Sequence, residues 1–194
     1  VVQRPASAVK ELMENAVDAG ASRIEVRVVD AGRTLIQVLD NGAGMVLADA
    51  ERCFQRHATS KISVAEDLYS IVSKGFRGEA LASIASIAHV ELKTRHASEE
   101  HGVQLLLEGG KASKPMPCAL ESGTQIAVRH LFFNVPARRN FLKSDAVEMR
   151  HVIEEFHRLA LAHEEIHFSL HHNDSELFNL KVSSRRKRVV GVFG

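Results

Sequence analysis

Apolar residues return at Val9, Leu12, Met13, Ala16 and Val17, the spacing of one buried helical face. Pro5 suits a first turn and Gly20 a stop, so the pattern predicts a helix over 5–19. The period then shortens from 3.6 to 2. Ile24, Val26 and Val28 alternate with Glu25 and Arg27, which reads as a half-buried strand. A turn at Asp30-Ala31-Gly32-Arg33 sends the chain back through a second strand at 34–40. Helical patterns follow at 47–55, 65–72 and 79–88, with strands at 88–95, 102–108 and 123–130. A long helix over 145–162 buries Val152, Ile153, Phe156, Leu159 and Ala160, and strands 165–172 and 176–182 pair across Asn173-Asp174. Hairpins dominate this order. It predicts an α+β, two-layer sandwich whose mixed sheet is largely antiparallel, with helices on one face. Residues 1–182 read as one domain. The stretch 183–194 reads as an exit segment toward a second domain, its VVGVFG end a strand without a partner.

Composition narrows the function classes without choosing one. The 194 residues are 45% hydrophobic and 25% charged, the mix of a soluble globular protein expected in the cytoplasm. A formal net charge of +1 gives no whole-chain field toward nucleic acid, so such a role needs a local patch. No apolar run approaches the roughly 18–20 residues of a membrane span. Cys53 and Cys118 sit in unlike contexts and read as two reduced thiols, with one disulfide as the alternative. Among the eleven histidines, His151, His157 and His163 are six apart, which scatters them around a helix instead of gathering them on a metal.

The candidate chemistry lies in three segments. The polar flank of the first helix carries Glu11 and Asn15 one turn apart, with Glu14 and Asp18 beside them and only Lys10 in compensation. That is either a wet surface or a flank aimed at something cationic. The second strand runs into DNGAGM (40–45), where Gly42 and Gly44 permit close backbone approach and Asp40 can accept from an exocyclic amine; the same letters also spell a common turn. In GFRGEALASIASIA (75–88), two glycines bracket a loop before a helix, an arrangement that offers amides to an anion. It lacks the Gly-Lys-Ser/Thr ending of a Walker loop. Between them, HATSKI (57–62) is a polar loop able to cover a nucleotide or merely to connect helices. Together these segments meet the separate needs of a magnesium-bound nucleotide. Asn15 offers the neutral oxygen that Mg²⁺ accepts beside phosphate and water, and Glu11 can activate a water as general base.

At these residues the chain resembles the GHKL ATPases, with E-x-x-x-N at Glu11–Asn15, D-x-G-x-G at Asp40–Gly44 and a second glycine loop at 75–78. Within them, RPASAVKELMENAVDAGA, RHATSKI, GFRGEALASI and NVPARRNFLK are similar to the bacterial MutL mismatch-repair family. The resemblance implies the Bergerat-type fold, ATP and Mg²⁺ as ligands, Glu11 as catalytic base and Asn15 as metal ligand. It implies adenine held by Asp40 with Gly42, Gly44 and Thr124, a lid containing Thr59 and Ser60, and a triphosphate wrapped by Gly75, Phe76, Arg77, Gly78 and Glu79. It further implies ATP-dependent pairing with a second copy, a MutS-type recognition partner, a downstream nuclease or helicase, and non-specific DNA contact made mainly by other regions.

The family's N-terminal arm, and the second domain whose lysine reaches the γ-phosphate, do not match any part of this sequence. Without that lysine, weak binding and slow turnover are the expectation. Arg138 and Arg139 in NVPARR read more readily as structural than as a phosphate contact, and RRKR (185–188) as linker or DNA contact. A histidine-kinase catalytic domain would lack HATSKI and GFRGEAL. A non-hydrolysing scaffold is opposed by the intact Glu11 and Asn15.

Overall fold

A computed structural model of the chain describes residues 2–55 and 80–194. Helix α1 (Pro5–Asp18) opens on Pro5 and closes in a Schellman motif. The Gly20 N–H donates to the Val17 carbonyl at 2.9 Å and the Ala21 N–H to the Ala16 carbonyl at 3.2 Å, with Gly20 at φ +72°. Strand β1 (Arg23–Val29) follows, then a 3₁₀ turn at Asp30–Gly32 and β2 (Leu35–Asp40). Helices α2 (Leu47–Arg52) and α3 (Ala80–Ala85) flank residues 56–79 in sequence. Next come β3 (His89–Arg95), β4 (Gly102–Glu108), the short β5 (Lys111–Ala112) and β6 (Met116–Cys118), and β7 (Gly123–Arg129). The chain continues through α4 (Pro136–Phe141), α5 (Asp145–Ala162), β8 (His167–His172), β9 (Ser175–Leu180) and α6 (Arg185–Phe193).

The described strands form one sheet in the order β5-β4-β3-β7-β2-β1-β8-β9, with β6 also on β4. Only β1 and β8 run parallel; every other described pairing is antiparallel, as the run of hairpins predicts. Alternation sets one face to the core: Ile24, Val26 and Val28 with Ile36, Val38, Val90, Leu92, Ile126 and Val128 are all buried. Helices α1 and α5 pack on each other and close that face through Val9, Leu12, Met13, Val152 and Phe156. Strands β5 and β6, too short to predict from alternation, lie at the edge, where Pro117 costs no interior ladder bond. Both cysteines are free thiols. No described helix is long and apolar enough to cross a membrane.

The tail departs from its predicted strand. Residues 185–193 form a helix that packs on α5 and β9. Its anchor is Arg188, 1% exposed, inside the basic run that reads from sequence as linker or DNA contact. The guanidinium donates to the carbonyls of Ala160 (3.0 Å), Glu164 (3.1 Å), Ile166 (2.6 Å) and Lys181 (3.2 Å) and lies 5.6 Å from the Phe168 ring centroid. Burial lowers its pKa, and the carbonyl cage replaces the lost water. Arg138 has a structural contact too, donating to the Val2 carbonyl at 3.2 Å.

Candidate functional site

The polar flank of α1 ends beside the loop that follows β2. The Ala43 N–H donates to the Ala19 carbonyl at 2.9 Å, and a Cβ on Gly42 would stand 2.7 Å from that same oxygen. Asn41 locks this corner. Its Oδ1 accepts from the Ser22 and Arg23 amides at 3.0 and 2.8 Å, and its Nδ2 donates to the Ser22 hydroxyl at 2.9 Å. Glu11 and Asn15 lie four residues apart on α1, both half-buried. Lys10 Nζ is 3.9 Å from Glu11 but 3.2 Å from Glu14, so its charge leans away from Glu11. The side chain of Asn15 has no hydrogen-bond partner among the described residues.

Strand register supplies the floor. Asp40 pairs with Thr124 across β2–β7, and Thr124 pairs with Thr94 across β7–β3. Directly opposed residues point the same way, so these three form a polar row at the end of the apolar rows Val38–Ile126–Leu92 and Ile36–Val128–Val90. The Thr94 and Thr124 hydroxyl oxygens are 3.0 Å apart. Thr94 Oγ1 also accepts the Met45 N–H at 2.9 Å and donates to the Gly123 carbonyl at 3.1 Å. Asp40 Oδ1 accepts the Gly42 N–H at 2.9 Å.

Burial pushes the Asp40 carboxyl up from 3.8 to about 6, against the pull of the Gly42 and Thr124 backbone N–H groups. Between those two values the folded chain holds a proton that the unfolded chain has released. This group therefore makes the fold less stable as pH rises through the window and gives that stability back on acidification. The charge is retained at a cost to the fold, as expected of a group needed as an acceptor. A ligand that donates to this carboxylate should lose affinity below pH 6, by about fourfold between pH 7.5 and 5.5. Titrating binding side by side with Asp40→Asn cancels the ligand's own protonation. Parallel profiles for the two proteins would separate Asp40 from recognition.

The glycines serve the protein's own packing. At Gly44 (φ +66°) a Cβ would collide with the Arg95 carbonyl, and at Gly123 (φ +134°) with the Asp40 carbonyl. Their missing side chains let the β2–α2 loop and the starts and ends of three strands close on one another. The structure thus gathers Asp40, Gly42, Gly44 and Thr124 at one corner, with the α1 turn carrying Asn15 next to it. Thr59, Ser60, Gly75, Phe76, Arg77, Gly78 and Glu79, and the helical pattern at 65–72, lie outside the described residues. Thr94, Asn41 and Gly123 are parts of the corner that the sequence reading passes over. Thr94 had a signal: it is the one polar residue on the inward row Val90, Leu92, Thr94.

Among the described residues no group of three or more His, Cys, Asp or Glu side chains is arranged to hold a metal ion. A hard cation that keeps its waters and takes phosphate oxygens fits the amide of Asn15, which has no partner among the described residues; a caged transition metal does not.

Residues 3–119 match the family model described as histidine kinase-, DNA gyrase B- and HSP90-like ATPase. The whole chain aligns at 61% identity with the DNA mismatch repair protein MutL of Flavobacterium psychrophilum, covering 32% of that protein. Against MutL of Parabacteroides distasonis the identity is 56% over all 194 residues, again 32% of the relative. The chain thus spans about a third of the length of the curated relatives it matches. Among solved structures it superimposes on the Aquifex aeolicus MutL ATPase domain complexed with ADP at TM-score 0.81 and 35% identity, covering all of this chain and 70% of that one.

Proposed function

Because the chain belongs to the histidine kinase-, DNA gyrase B- and HSP90-like ATPases, as the ATPase domain of a MutL-type protein, we propose that it binds and hydrolyses ATP at the α1–β2–β7 corner. The observation that supports this reading is the Ala19–Ala43 contact, which joins the α1 turn of Asn15, an amide without a partner among the described residues, to the loop that follows the acceptor Asp40. Acceptors at the end of an apolar sheet suit the edge of an adenine ring, whose amine donates. Asn15 would offer its oxygen to Mg²⁺, which when bound would neutralise phosphate charge. Glu11, one turn earlier, takes the proton of the attacking water. Contact with the triphosphate is assigned to Thr59, Ser60 and residues 75–79, which lie outside the described residues, and nucleotide binding promotes pairing with a second copy. In the longer protein this state passes mismatch recognition from a MutS-type partner to a downstream nuclease or helicase, with non-specific DNA contact made mainly outside this domain.

Magnesium-dependent binding of a non-hydrolysable ATP analogue tests the reading. We expect Asn15→Ala to remove the magnesium-dependent part of the affinity and to leave the magnesium-free part in place. Calorimetry showing the same gain from Mg²⁺ in both proteins would take Asn15 out of the metal's coordination.

A further inference from the structure

We infer that Thr94, a residue with no exposure of its own, sets purine selectivity by fixing which way the Thr124 hydroxyl points. The inference rests on the nucleotide-binding reading above and adds to it a specificity-determining residue one strand behind the ligand.

The argument is a count of protons. Thr94 Oγ1 is fully buried and has three neighbours within hydrogen-bond reach among the described residues: the Met45 N–H at 2.9 Å, the Gly123 carbonyl at 3.1 Å and the Thr124 hydroxyl at 3.0 Å. A hydroxyl has one proton and two lone pairs. The amide can only donate, so one lone pair of Thr94 belongs to Met45. The carbonyl can only accept, so the Thr94 proton goes to Gly123. Of these three neighbours, the Thr124 proton alone can fill the remaining lone pair. This assignment satisfies every group; the reverse leaves a buried Thr94 lone pair unfilled and takes the Gly123 bond away.

Thr124 has therefore turned its only proton inward, and its oxygen offers lone pairs alone to the other side. Next to it on the same row is Asp40, an acceptor as well. A ligand edge meeting these two side chains must donate. At its exocyclic position a 6-amino purine brings two N–H bonds, whereas a 6-oxo purine brings a third acceptor there against two and donates only from N1. Thr94 itself does not reach the ligand. It is a positioning residue, acting through Thr124.

The test compares equilibrium binding of ATP and inosine triphosphate, which has a 6-oxo group in place of the amine, to the chain and its variants. Thr94→Val keeps the shape and frees the Thr124 proton to turn outward, so the ATP preference should fall by about tenfold or more. Thr94→Ser restores the hydroxyl and should hold the preference within about twofold. Thr94→Cys, whose thiol accepts weakly, should side with valine and covers the case in which valine does not fold. A valine or cysteine variant that binds nucleotide with the unmodified preference overturns the inference, as does a serine variant that loses it. Equal affinity of the unmodified chain for both nucleotides overturns the Thr94 assignment but not the binding reading. No binding of either nucleotide overturns both.

Discussion

Glu11→Ala should leave nucleotide affinity within a few-fold and lower turnover by about 10²–10⁴, the span of a lost general base. The two halves of that result come from different parts of the corner. In the proposed site affinity is assigned to the row of Asp40 and Thr124 and to Asn15, and Glu11 bonds to none of them. Turnover needs a group that holds a water and takes its proton, the role proposed for Glu11, half-buried on α1 one turn before Asn15. Its closest described cation, Lys10, is 3.9 Å away and more tightly engaged with Glu14. Among the described residues, then, no tight ion pair neutralises this carboxylate. Phosphate release under single-turnover conditions separates chemistry from binding. A Glu11→Gln variant keeps the side-chain volume and should fail in the same way, which excludes a packing cause. Undiminished turnover in either variant would mean that another group activates the water.

How far the sequence speaks for itself differs from element to element, for physical reasons. Helix α1 was legible because burial on a single face imposes a period and Gly20 marks its end. The strands from 23 to 40 were legible because a sheet with one covered face alternates strictly. The α6 segment was not. Three valines in VVGVFG favour a strand locally, yet the buried guanidinium of Arg188 holds the turn to four carbonyls, Ala160 on α5, Glu164 and Ile166 in the α5–β8 connection and Lys181 just after β9, and no local pattern reports that. At the candidate site, side chains with intrinsic chemistry, Glu11, Asn15 and Asp40, stood out from sequence alone. Thr94 did not, since its weight comes from register: only the pairing of β3 with β7 puts its hydroxyl behind Thr124. The glycines of DNGAGM read from sequence as room for a ligand, and the structure gives them a packing meaning as well: their Cβ directions are filled by Ala19, Arg95 and Gly123.

That change of meaning carries the second large effect. Gly44→Ala should cost about 2–4 kcal/mol of stability, and Gly20→Ala only about 1 kcal/mol, although the two glycines share nearly the same backbone, φ +66° and +72°. The left-handed conformation penalises any side chain by a similar amount at both positions. What differs is space. Around Gly20 a Cβ would meet nothing within 4 Å, while at Gly44 it would drive into the Arg95 carbonyl at the end of β3. A backbone oxygen held in a sheet cannot rotate aside as a flexible side chain can, so either the loop or the strand end has to move. The amide of Met45, next in the chain, is bonded to Thr94, so a loop displaced at Gly44 also pulls on the Thr94–Thr124 pair. Urea unfolding of both variants gives the comparison directly, the Gly20 protein serving as the measure of backbone strain alone. The excess at Gly44 should be accompanied by weaker nucleotide binding, which Gly20→Ala should spare. Equal stability losses at the two positions would show that the loop does not close on β3 as tightly as the geometry states.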